Sequence, residues 1–152
     1  MYAISLFALF LACGSGADQH LQTTQDALST GAWADAITAA DAGLAADLDE
    51  ASNWRLYLMG LEAHARSGDA GKATEIIEQM AGKHPDRVTG KLYVSTAAQI
   101  KETGDSTGAI NLLDAGAKRF PDDAEIAKAI EDAKASGSDA ELEQLRSLGY
   151  ME

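Results

Sequence analysis

Apolar residues along this chain form one solid block and then a helical rhythm. Met1 to Ala12 is uncharged and almost wholly apolar, and it runs directly into Cys13-Gly14-Ser15-Gly16. From Trp54 to Arg66 the apolar positions recur at helical spacing until Ser67-Gly68-Asp69 breaks them. Glycine is free to take the left-handed conformation that closes a helix. Ala70 to Lys83 then reads as a second helix, which Pro85 cannot continue because proline lacks an N–H and clashes with the preceding turn. The pattern predicts a helical hairpin.

That hairpin recurs. Shifting the chain by 36 residues places Leu56, Tyr57, Gly68, Asp69, Ala73, Ala81, Pro85 and Asp86 on Leu92, Tyr93, Gly104, Asp105, Ala109, Ala117, Pro121 and Asp122. A weaker copy starts at Gly31-Ala32-Trp33, offset by 37 from Gly68, with Leu48 in place of the proline. Such a period marks stacked units that cannot bury their faces alone. The glycine between helices, the small residue at Ala36, Ala73 and Ala109, and the closing proline resemble the tetratricopeptide repeat. Residues 17–50, 54–87 and 90–123 would be the three units, within a repeat region of 18–123. The resemblance implies an all-α fold: helical-hairpin repeats stacked as a short right-handed solenoid.

Residues 124–152 would close it. Asp122 to Ser136 and Ser138 to Leu148 read as two further helices, with Asp123 and Ser138 as N-caps and Glu141 completing a capping box. Ile126, Ala129, Ile130 and Ala133 give one apolar stripe opposite a charged face, as a solenoid end requires. Leu142, Leu145, Leu148 and Tyr150 are expected to dock on the preceding helices.

The N-terminal block is too short to span a bilayer, which takes about 20 apolar residues. An apolar run ending in small residues is the layout of a secretory signal peptide. Leu9-Phe10-Leu11-Ala12-Cys13 resembles the lipobox of bacterial lipoproteins. The resemblance implies a signal peptide over 1–12, lipidation of Cys13, and a flexible tether over 13–17. Gly14 after the cysteine further implies the periplasmic side of the outer membrane, with a soluble periplasmic protein as the alternative.

Composition narrows the function. Alanine fills 30 of the 152 positions and aromatics only 6%, which favours thin, closely spaced helices. A net charge of -12 opposes binding to nucleic acid or anionic lipid, so any membrane contact is expected through the lipid anchor alone. Residues 1 to 54 hold seven acids and no Lys or Arg. One Cys excludes a disulfide framework, and His20, His64 and His84 show no metal-ligand spacing, so neither a metal nor another cofactor is expected. His64 and His84 are expected to pack in the core or at repeat junctions. The chain contains no nucleophile-elbow, phosphate-loop or dinucleotide motif.

One surface carries a binding hypothesis. Arg55, Leu58, Glu62 and Arg66 share a helical face, and Lys91, Val94, Ala98 and Lys101 repeat it. By the repeat resemblance these positions would face a concave groove, extended by Leu21, Gln25 and Leu28. Its cations would pair with carboxylates on an extended peptide, although exposed charges of this kind also occur as plain solvated faces. The sequence therefore reads as a non-catalytic, exported protein-binding module with a peptide or protein partner in the cell envelope. The alternatives are an accessory or assembly subunit of an envelope complex, and a small envelope enzyme whose site carries no recognisable motif.

Overall fold

A computed structural model describes residues 16–152. Among them the chain is all-helical, with eight helices and no strand: α1 (Gly16–Ser29), α2 (Trp33–Leu44), α3 (Glu50–Ser67), α4 (Ala70–Lys83), α5 (Gly90–Glu102), α6 (Ser106–Arg119), α7 (Ala124–Ser136) and α8 (Asp139–Ser147). The expected signal peptide and Cys13 lie outside the described residues. Gly16 and Ala17, expected to end a tether, instead open α1.

The recurring dipeptides have a physical meaning. Gly68 closes α3 at φ 86°, and Asp69 then caps α4 by accepting from Lys72 N at 3.0 Å. One period later Gly104 takes φ 93° and Asp105 caps α6 by accepting from Gly108 N at 2.8 Å. In both copies the pair ends one helix and caps the next.

Caps also account for the displaced helix ends. α3 begins at Glu50, not Trp54, because the Asp49 carboxylate accepts from Ser52 N at 3.0 Å and from its hydroxyl at 2.6 Å, adding a turn. Asp123 caps α7 through Glu125 N and Ile126 N, so that helix starts two residues later than expected. Ser138 and Glu141 form the expected capping box on α8.

Each helix packs on its neighbour in sequence from α1 to α8, save that α2 and α3 are the first pair to do so across a longer loop and α4 touches α5 only lightly. Next-but-one helices also meet: α1 with α3, α3 with α5, α5 with α7, α4 with α6 and α6 with α8. The exception is α2 and α4, which have no Cα atoms within 8 Å of each other. α7 and α8, expected only as a cap, pack on each other and on α5 and α6, as a further hairpin.

Small residues set the spacing. Ala36, Ala40, Ala63 and Ala65 are fully buried, and Gly43 faces Leu56 and His20 so closely that a Cβ there would stand 2.6 Å from Leu56 Cδ1. Leu56, Leu61, Ile77, Met80, Tyr93, Ile100, Ile110, Leu112, Ile126 and Leu145 form the buried interior. Leu145 is fully enclosed, and Leu148 and Tyr150 lie against the core, whereas Leu142 is only half-buried and outside that packing. Among the described residues no helix is long and apolar enough to cross a membrane.

Candidate functional site

The two sequence-selected faces lie on α3 and α5, which pack against each other. Arg55 is exposed, Leu58 and Glu62 are half-buried, and Arg66 is partly covered. On α5, Lys91, Ala98 and Lys101 are exposed and Val94 is half-buried. Val94, Ala98 and Lys101 line one wall of an open pocket of about 220 Å³, which Ala129 and Ala133 of α7 and Glu141 of α8 close from the other side. Lys91 continues the surface past Val94 toward Glu125, Lys128 and Asp132 of α7. The extension onto α1 is thinner than expected: Gln25 is exposed and Leu28 half-buried, but Leu21 is only 6% exposed and belongs to the packing.

The four cations of this surface divide into two kinds. Arg66 Nε donates to Glu62 Oε1 at 2.9 Å, lies 3.7 Å from Glu102, and stacks over the Trp33 ring at 5.7 Å. Lys101 Nζ meets Glu141 Oε1 at 2.6 Å. Both are thus neutralised within the chain. Arg55 and Lys91 have no carboxylate partner among the described residues. An incoming carboxylate would pair with those two before it could compete for the others.

Glu141 is the least expected member of the surface. Its side chain is 3% exposed, yet one oxygen takes Lys101 and the other accepts from Ser138 N and Oγ. Burial pushes this carboxyl up, but the bonds from Lys101 and Ser138 outweigh it and hold it below the ordinary glutamate value. The capping box was visible in sequence; its second role was not, because only the fold brings Glu141 of α8 within reach of Lys101 on α5. Trp33 under Arg66 was missed for the same reason.

His64 and His84 both sit in packed surroundings. His64 is buried, with its Nδ1 3.6 Å from Asp69 and neither ring nitrogen hydrogen-bonded. His84 packs edge-on to Trp54 with centroids 5.5 Å apart and its Nδ1 3.6 Å from Glu50. Among the described residues no three His, Cys, Asp or Glu side chains converge as a metal site would need. No family model and no curated protein matches this chain.

Proposed function

We propose that this chain is an exported, lipid-anchored protein of tetratricopeptide-like helical hairpins that binds a peptide or protein partner and performs no catalysis. The observation that carries the binding reading is the pair Arg55 and Lys91, exposed cations without carboxylates on the adjoining α3 and α5, in a chain of net charge -12. The apolar flank of Leu58, Val94 and Ala98 beside them suits the side chains of an extended segment. The repeat reading draws support from the recurring Gly-Asp turns and from the contacts between next-but-one helices, since stacked hairpins bury their faces on their neighbours. Export rests on the apolar run before Cys13.

Two experiments test this. Expression in a bacterium with the native N-terminus, beside Cys13→Ser, should give a lipidated mature chain in the outer-membrane fraction, and a soluble, unlipidated variant. Retention of residues 1–12 with no lipid on Cys13 refutes the anchor. Partner capture should weaken in an Arg55→Ala, Lys91→Ala variant and change less in Arg66→Ala, Lys101→Ala, whose cations are already paired. Undiminished capture by the first variant refutes this groove as the binding face.

A further inference from the structure

The gap between α2 and α4 interrupts a pattern that the later helices keep, and a charge is left over beside it. At the next junction Tyr93 of α5 donates its hydroxyl proton to Glu78 Oε1 of α4 at 2.8 Å, and Arg119 at the end of α6 lies 3.9 Å from Glu78 Oε2. One carboxylate thus serves a phenol and a cation drawn from the following hairpin. The phenol recurs 36 residues earlier as Tyr57, with Lys83 where the later repeat has Arg119, and Lys83 Nζ donates to Tyr57 Oη at 2.5 Å.

The carboxylate that joins phenol and cation is missing here. In the register that places Ala36 on Ala73, the counterpart of Glu78 is Asp41. Asp41 is one methylene shorter and sits on α2, which stays clear of α4, and it makes no ion pair with Lys83. Lys83 consequently has no carboxylate partner among the described residues. Tyr57 Oη, already accepting from Lys83, keeps its own proton for another acceptor.

Next to this pair the cleft is open. Leu44, Tyr57, Gly60 and Ile76, together with the polar Asp41, Lys72 and Gln79, line a space of about 350 Å³. Leu44 and Tyr57 also border the adjoining hollow that holds Lys83; Glu50 lines it too, but its carboxylate is turned to His84 and Arg87, at 3.6 and 3.8 Å.

We propose that the α2–α4 cleft is a second binding site, which takes a short segment of a partner protein and seats a glutamate carboxylate on Lys83 Nζ and Tyr57 Oη, where Glu78 sits one repeat later. An aliphatic neighbour of that glutamate packs on Leu44 and Ile76. Asp41 and Lys72 line the same space as the apolar side chains, so a long alkyl chain would lay methylenes against charge, whereas a side chain flanked by peptide groups does not. The site is separate from the α3–α5 groove and does not depend on it.

The test is an NMR titration of the full chain with a blocked pentapeptide that carries one glutamate between two leucines. Binding should shift the Tyr57 ring and Lys83 side-chain signals, and glutamine in place of the peptide's glutamate should weaken it about tenfold or more, as loss of a charge-assisted bond requires. Lys83→Met should weaken it similarly, whereas Lys83→Arg should retain it. Asp41→Glu, which lengthens the internal carboxylate, should compete and also weaken it, and Arg55→Ala with Lys91→Ala should leave it unchanged. Equal binding of the glutamine peptide, unmoved Tyr57 and Lys83 signals, or loss of binding in the Arg55, Lys91 variant overturns the proposal. Hexanoate binding as tightly as the peptide overturns the assignment to a protein segment.

Discussion

The packing of α6 on its neighbours can be tested by making one chemical change at two sites where opposite signs are expected. Gly82 of α4 is exposed, and a Cβ added there would meet nothing within 4 Å. Removing helical glycine should stabilise the fold by about 0.5–1 kcal/mol, chiefly by restricting the unfolded chain. Gly116 of α6 is buried and helical, so Gly116→Ala receives the same propensity gain. Its Cβ, however, would stand 2.9 Å from Tyr93 Cγ and 3.0 Å from both Tyr93 Cβ and Ile126 Cδ1. Carbon atoms prefer a separation of about 3.5–4.0 Å, so the neighbours must retreat by half an ångström or more. Tyr93 is poorly placed to do so, because it is fully buried, its hydroxyl is held by Glu78, and its ring abuts Phe120 edge-on at 6.0 Å. Overpacking of this sort costs about 1–3 kcal/mol. Net of the propensity gain, Gly116→Ala should be destabilised by up to about 2 kcal/mol, while Gly82→Ala is stabilised. Urea titrations followed by circular dichroism, compared at unchanged slope, measure both. A Gly116→Ala variant as stable as Gly82→Ala would refute the close approach of α5, α6 and α7.

Three shorter predictions follow from caps and charges. Asp123→Ala, which strips the carboxylate from two backbone N–H groups of α7, should cost about 1 kcal/mol in the same titration, and Asp123→Asn should recover most of it. Acid should destabilise the protein in part through Glu141 and Asp49, both held below their ordinary values, Asp49 by its bonds from Ser52. A depressed folded-state value contributes stability that is complete above the unfolded-state value and is lost as pH falls through the folded-state value; Glu141→Gln should therefore flatten the acid limb of a stability–pH curve. At the alkaline end, burial and then the bond to Glu78 push the Tyr93 phenol upward, so stability should fall as pH rises beyond the ordinary tyrosine range, and Tyr93→Phe should remove that part of the fall.

Local features of the fold were legible in the sequence because their causes are local. The Gly68-Asp69 and Gly104-Asp105 pairs end one helix and cap the next through contacts within a few residues, and Ser138 with Glu141 does the same for α8. Helix starts were read less well where the cap itself was overlooked, as with Asp49 ahead of α3. The cationic face was legible too, since Arg55, Leu58, Glu62 and Arg66 share a side of one helix whatever surrounds it.

Partner choice was not legible, because it depends on which distant side chains the fold lays against that face. Lys101 meets Glu141 only after α5 and α8, far apart in the chain, have come together, whereas Arg66 takes Glu62 within its own helix; of the cations on that face, this leaves Arg55 and Lys91 without a carboxylate among the described residues. The spacing of α2 and α4 has the same origin. Helices, their turns and the charge along each helical face could be read from the residues alone, since backbone geometry within a few residues sets all three. Tertiary structure alone decided which charges are already satisfied and where a cleft stays open, because both depend on distances between segments that no local pattern records.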